Sequence, residues 1–250
     1  MTFRIIARLD VKPPNLVKGI HLEGFRQIGN PSEFALRYYM GGADELSYQD
    51  VVASLYGRNS IKDLVSATAQ EVFIPITVGG GIKSVQDADA LIRSGADKIS
   101  VNTAAVRNPM LIGSLEKVFG RQAIVLTVEA KKFAPNKYLV MTDNGREHSG
   151  VEVCDWVNAA SGYGVGEILL TSIDSEGTRK GFDLNLLQAV REVTDLPIVM
   201  HGGAGELKDI LLAAKNGADG VAVASILHFR INSLLEIKQF LNDHQVEVRI

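Results

Sequence analysis

Two carboxylates and two glycine clusters recur at matching places in this 250-residue chain. Asp10 lies in LDVK (9–12) and Glu129 in VEAK (128–131), each at the end of a Val/Ile-rich run. A pair of carboxyl groups facing one ligand suits general acid/base chemistry, one protonated and one ionised. The competing reading is structural, with Asp10 paired to Lys12 and Glu129 to Lys131.

The glycine clusters are GGG (79–81) and GGAG (202–205). Each follows a β-type run and precedes a helical pattern. Glycine lets a backbone approach a ligand closely, and the exposed N–H groups of such a turn attract anions. Each cluster is followed, one strand–helix unit later, by small residues: Asn102 and Thr103 in the first case, Ala224 and Ser225 in the second. Gly80, Gly81, Asn102 and Thr103 would then form one phosphate cup, and Gly202, Gly203, Ala224 and Ser225 another. Glycines that only make tight turns are the bland alternative. The duplication favours a ligand with a phosphate at each end.

Four charges, Arg4, Glu45, Lys98 and Glu167, stand where β-type runs begin. They are either a ring of ion pairs at one end of the molecule or ordinary solvated charges. The five histidines have no zinc-ligand spacing, so no metal site is expected. His201 precedes the second glycine cluster, where an imidazole could touch a phosphate, and His228 reads as a packing residue. The single cysteine, Cys154, beside Trp156 and Val157, reads as a buried structural thiol.

The elements that must position these groups alternate. β-type runs at 3–10, 45–51, 74–81, 98–103, 123–129, 167–173, 196–203 and 220–225 are rich in Val and Ile, as strands buried on both faces are. Amphipathic patterns such as 84–95, 207–217 and 233–243 lie between several of them. The alternation predicts parallel pairing through right-handed crossovers. Eight strands in a chain of this length predict a single (β/α)8 TIM barrel, with a doubly wound open sheet as the rival. The segment 78–103 resembles 201–225, and Gly79 and Gly202 are 123 residues apart. A period near half the chain implies two half-barrels, about 1–121 and 122–250, within one domain (1–250). Their pseudo-twofold axis would set Asp10 and Glu129 across the mouth, between the two cups.

Hydrophobic residues make up 46% and charged residues 22%, with a net charge of −3. That balance gives no reason to expect a nucleic acid or an acidic membrane as partner. The start, MTFRIIARLDVK, has no signal-peptide pattern, and no apolar run approaches a membrane span, so a cytoplasmic protein is expected.

Over essentially the whole chain the sequence resembles the cyclase subunits of imidazole glycerol phosphate synthase. The stretches that carry the resemblance are RIIARLDVK (4–12), VKG (17–19), GADEL (42–46), IPITVGGGI (74–82), GADKISVNTAAVRNP (95–109), GEILLTSID (166–174), GTRKGFD (177–183), HGGAGE (201–206) and SILHFR (225–230). The resemblance implies a lyase of histidine biosynthesis that needs no cofactor. A glutaminase subunit, joined as a heterodimer, makes ammonia. The ammonia crosses the barrel and attacks a bisphosphate ribulosyl aminoimidazole carboxamide intermediate, giving imidazole glycerol phosphate and aminoimidazole carboxamide ribotide. It implies Asp10 as the acid/base and Glu129 as its partner. It places Lys18, Asp50, Thr171 and Glu176 with the substrate, makes Arg4, Glu45, Lys98 and Glu167 the ammonia gate, and sets Asp97 against the glutaminase.

The sequence departs from the family pattern at the substrate end. Glu129 and Glu176 stand where the family has aspartates, His201 where a serine precedes the glycines, and Gln49 where the family is apolar. KPPN (12–15) lacks the usual Asp-Gly turn. A glutamate reaches about 1.5 Å further than an aspartate, against a tolerance of about 0.5 Å in a reacting site. Two other readings therefore stay open. One is a paralogue that delivers ammonia with a sugar amidotransferase in acetamidino-sugar or surface-polysaccharide synthesis. The other is a non-catalytic scaffold that activates a glutaminase.

Overall fold

The computed structural model describes residues 2–53 and 61–250. Among these, twelve strands form one sheet. Eight of them are parallel and close a barrel: β1 (Arg4–Lys12), β4 (Glu45–Asp50), β5 (Ile76–Gly79), β6 (Lys98–Val101), β7 (Ile124–Ala134), β10 (Glu167–Ser172), β11 (Ile198–His201) and β12 (Gly220–Val223). The pairing of β10 with β7 and of β1 with β12 closes the ring, so the open-sheet alternative is excluded.

Alternation along each strand decides what the barrel contains. On β1, Ile5, Ala7, Leu9 and Val11 join the main apolar core, which lies between the sheet and the outer helices. The residues between them, Arg4, Ile6, Arg8 and Asp10, face the lumen. Ile6 meets Val125, Leu169, Val199 and Ala222 there in a separate small cluster. The lumen is therefore apolar in one layer and charged above and below it.

Helices cover the outside and run back toward the strand starts. Side-chain caps mark several of their beginnings. Ser84 Oγ accepts from Asp87 N at 3.1 Å ahead of the helix Val85–Arg93, and Ser233 with Glu236 forms a reciprocal capping box ahead of Leu234–Asp243. At the strand starts the tripeptide Gly-Ala-Asp recurs with one geometry. Asp44 accepts from Ile5 N at 2.7 Å, Asp97 from Ile76 N at 2.8 Å and Asp219 from Ile198 N at 2.9 Å. Each aspartate ties the beginning of one strand to that of its neighbour.

Two antiparallel excursions interrupt the alternation. β1 continues through a turn at Pro13 and Pro14 into β2 (Asn15–Ile20) and β3 (Glu23–Gly29). β7 continues into β8 (Lys137–Thr142) and β9 (Glu147–Glu152). Both rise above the C-terminal ends of the barrel strands, where sites of this architecture lie. The strand–helix alternation of the sequence predicts neither excursion.

Candidate active site

The lumen-facing alternation of β1 brings Asp10 to the top of the barrel, and that of β7 does the same for Glu129. Neither pairs with the lysine that the structural alternative required, since Lys12 and Lys131 are exposed. The partner of Asp10 is Arg8, whose Nε donates to Asp10 Oδ1 at 2.9 Å, both side chains being buried. Glu129 Oε2 accepts from Gly145 N at 2.9 Å, in the turn between β8 and β9. Burial pushes the Glu129 carboxyl up to about 7; the Arg8 guanidinium and the Gly145 N–H oppose the rise, and Asp10 and Asp143 add to it. A carboxyl at that value carries a proton near neutral pH and can give it up.

Two cavities open at this end of the barrel, and Glu129 lines the first of them. The first encloses about 260 Å³ and is lined by Gln49, Asp50, Gly80, Gly81, Asn102, Thr103 and Glu129, among others. The second, about 20 Å³, is lined by Lys18, Glu176, His201, Gly202, Gly203, Ala224 and Ser225, with Arg179 at its side. Each glycine cluster thus shares a cavity with the small residues one unit later. Glycine is required at two of these turns. At Gly80, with φ +102°, a Cβ would lie 2.4 Å from the Asp50 carbonyl oxygen; at Gly203, with φ +117°, 2.0 Å from that of Gly181.

The two cavities differ in charge. Asp50 Oδ1 accepts from Val52 N at 3.0 Å, and Thr103 Oγ1 accepts from Asp143 N at 2.9 Å beside the first. Arg107 reaches Asp143 at 2.6 Å on the same rim. In the second, the Lys18 ammonium is ion-paired with Glu176, whose other oxygen accepts from Leu22 N at 2.9 Å. His201 is buried; burial first, then the Arg8 and Lys18 cations, hold its pKa well below the usual value, so the imidazole is neutral. Its Nδ1 lies 3.2 Å from Thr171 Oγ1. Thr171 is fully buried beside His201 and lines neither cavity. Cys154 is half-buried rather than buried, with its Sγ 3.5 Å from the Ala189 carbonyl oxygen. His228 is a packing residue, stacked on Tyr38 with its Nδ1 2.5 Å from the phenol oxygen.

The opposite end of the lumen is closed by charges. Arg4 meets Glu45 at 3.4 Å and Glu167 at 3.0 Å; Lys98 meets the same two carboxylates at 2.8 Å and 2.9 Å. The four alternate in sign around the lumen, which decides between the ring and the solvated charges. Burial alone would raise the Glu167 carboxyl, but Lys98 and Arg4 outweigh it and hold the group below its usual value. Above the ring lies a small cavity bounded by Ile6, Ser47, Thr77, Val125 and Leu169.

Comparison with known proteins finds similarity along nearly the whole length. Residues 4–232 match the family described as "Histidine biosynthesis protein". The chain belongs to that family. Among members of the histidine biosynthesis protein family, it is 57% identical over 206 residues to "Imidazole glycerol phosphate synthase subunit HisF" of Legionella pneumophila, covering 82% of this chain and 97% of the relative. It is 43% identical over 254 aligned residues to the protein of that name from Bifidobacterium longum, covering 100% of this chain and 99% of that one. The protein of that name from Corynebacterium urealyticum is 45% identical over 249 residues, covering 98% of each.

Sequence reasoning missed three residues at this site, Arg8, Asn144 and Gly145. Arg8 is 1% exposed and is among the largest fully buried side chains described. The signal was available, since an arginine in the strand pattern RIIARLD, two residues before Asp10 and sharing its face, had to point into the lumen. Asn144 and Gly145 also reach the site, and only the β8–β9 excursion brings them there. Among the described residues no group of His, Cys, Asp and Glu could hold a metal ion.

Proposed function

We propose that this chain is the cyclase subunit of an imidazole glycerol phosphate synthase, a lyase. It would use ammonia from a partner glutaminase to convert the bisphosphate intermediate into imidazole glycerol phosphate and aminoimidazole carboxamide ribotide. The observation that carries this reading is the pair of glycine-lined cavities, the first of them also lined by Glu129. The high identity to relatives named for that synthase subunit supports it.

In this reading each cavity takes one phosphate. Gly80, Gly81, Asn102, Thr103 and Asp50 surround one end of the substrate. Gly202, Gly203, Ala224, Ser225 and Lys18 surround the other, with Glu176 setting the position of Lys18. Glu129, protonated near neutral pH, gives a proton to the ketose carbonyl oxygen as nitrogen adds to its carbon. Asp10 takes the proton released from the attacking nitrogen.

Ammonia enters through the ring of Arg4, Glu45, Lys98 and Glu167 from a glutaminase bound at that end. Asp97 is exposed there beside the ring. Met40 and Phe73, each 77% exposed, lie at a helix end and a strand approach on the same side. Apolar side chains so open to water suit burial by a partner. No described helix is long and apolar enough to cross a membrane. We assign the protein to the cytoplasm, as a single domain of two half-barrels.

The experiment is conversion of the bisphosphate intermediate by the purified chain with an ammonium salt and no glutaminase. Formation of both products supports the reading; inactivity of the folded chain refutes it. The Lys18–Glu176 ion pair favours a second reading, a sugar acceptor in place of the bisphosphate, because it removes one free cation from the second cavity. Turnover of the bisphosphate excludes that reading.

A further inference from the structure

The lumen of this barrel holds two spaces in succession. The lower encloses about 10 Å³ and is bordered by Ser47 and Thr77 above the carboxylates of Glu45 and Glu167. A space of that order takes one molecule of the size of water or ammonia and nothing larger. The upper is the first cavity of the mouth, bordered by Gln49, Ser100, Thr127 and Glu129. Two strands border both. On β4, Ser47 meets the lower space and Gln49 the upper; on β7, Val125 and Thr127 do the same. Residues two apart on one strand face the same way, about 7 Å apart. The two spaces are therefore consecutive steps on the β4 and β7 walls of the lumen.

Each step carries one uncommitted hydroxyl. Ser47 Oγ and Thr127 Oγ1 are both buried without a hydrogen-bond partner among the described residues. Their neighbours are engaged: Thr77 Oγ1 donates to Glu45 Oε1, and Ser100 Oγ donates to Gln49 Oε1 at 3.4 Å. An enclosed hydroxyl left unpaired is costly, and each of these belongs to a residue that borders a space. Most of the remaining wall of the lower space is apolar, from Ile6, Val125, Leu169, Val199 and Ala222. The carboxylates beneath it are already held by Arg4 and Lys98. A charged guest would lose its hydration there without gaining a free counter-ion.

We propose that the Ser47 hydroxyl holds ammonia in the lower space and the Thr127 hydroxyl receives it in the upper, so that the nucleophile climbs the β4 and β7 walls. The inference rests on the cyclase reading above and deepens it by assigning the route and its two stopping points. The Ser47 O–H donates to the nitrogen lone pair. Ammonium has no lone pair to accept that bond, so the lower station takes the neutral form. At Thr127 the hydroxyl oxygen accepts an N–H, which leaves the lone pair free in the space that Glu129 also lines. No covalent bond forms or breaks at either station, and both residues are positioning residues.

The test uses the full chain in complex with its glutaminase, for wild type, Ser47→Ala, Ser47→Val and Thr127→Val. Alanine removes the Ser47 hydroxyl and keeps the space; valine there fills it; Thr127→Val removes a hydroxyl at nearly constant volume. Glutamine consumed per product is expected to rise about threefold to tenfold in Ser47→Ala, as for loss of one neutral hydrogen bond, and further in Ser47→Val. Turnover on ammonium chloride, which enters at the mouth above Ser47, should change far less in both. Thr127→Val lies on both routes, so its KM for ammonium should rise by a similar factor, with a much smaller change in the KM for the bisphosphate. Crystals of the wild-type chain should show density the size of one water against Ser47 Oγ, and Ser47→Val should lose it. Unchanged coupling in both Ser47 variants, an equal loss on ammonium chloride, no such density, or an unchanged KM for ammonium in Thr127→Val overturns the inference. Wild-type inactivity on the bisphosphate with ammonium chloride would instead overturn the cyclase reading, and this inference with it.

Discussion

Gly145 N donates to Glu129 Oε2 at 2.9 Å, so the carboxyl at the end of β7 is held by the turn of the excursion that β7 itself begins. The other Glu129 oxygen is left toward the mouth, where the side chain lines the first cavity. The longer glutamate is thereby fixed from above rather than free to swing.

Replacement of the carboxylates is expected to separate their roles. Asp10→Asn keeps the shape, removes the proton acceptor and leaves Arg8 without its ion pair. Ammonium-driven turnover should fall by about 10²–10⁴-fold, the usual effect of losing a positioned acid or base. Glu129→Asp withdraws the carboxyl from Gly145 and should also lower turnover. Steady-state rates with the bisphosphate check both, and full activity of Asp10→Asn would make the β1 carboxylate structural.

Glu129 should give stability a pH dependence. Its carboxyl is raised from 4.5 in the unfolded chain to about 7 in the fold. The folded state therefore holds a proton that the unfolded state has lost between those values. The contribution is fully present below about 4.5, declines as pH rises through the window and is lost above about 7. It amounts to about 3 kcal/mol. Denaturant unfolding at pH 5 and pH 8 should show wild type losing more stability than Glu129→Gln across the window; parallel behaviour would refute the shift.

Both cavities should take an anion. Crystals soaked with inorganic phosphate are expected to show density against Gly81 and Thr103, and against Gly203 and Ser225. The second cavity is smaller, so Lys18 and Glu176 should move apart as it fills. Gly203→Ala should abolish binding there and destabilise the chain by about 1–3 kcal/mol, because its φ of +117° is strained for alanine and its Cβ would meet the Gly181 carbonyl oxygen. Two empty cavities after soaking would remove the bisphosphate reading.

The charged ring should control coupling. Lys98→Ala leaves Glu45 and Glu167 facing each other with only Arg4 between them. In a complex with the glutaminase, glutamine consumed per product is expected to rise several-fold, while ammonium-driven turnover, which enters at the mouth, should change far less. Sizing chromatography with the glutaminase checks the complex itself; absence of any complex would refute the partner assignment.

Alternation and repetition carried most of this protein in the sequence itself. The eight Val/Ile-rich runs became the eight barrel strands, because a strand buried on both faces needs apolar residues throughout. The repeat paired each glycine cluster with the small residues that share its cavity, since equal spacing in two halves gives similar geometry. The charges at the strand starts met in a ring because period-two alternation turned all four inward. Long-range contacts were beyond reach. The excursions β2–β3 and β8–β9 stand outside the strand–helix alternation, so nothing local announced that Gly145 would return to Glu129 or that Lys18 would meet Glu176, 158 residues away. Arg8 and Lys12 both share the face of Asp10, and the pairing with Arg8 followed from its burial in the closed lumen, Lys12 being exposed at the strand's end. The burial of Arg8 and Asp10 exists only once the barrel closes, because enclosure by the surrounding strands, and no property of either residue, is what produces it.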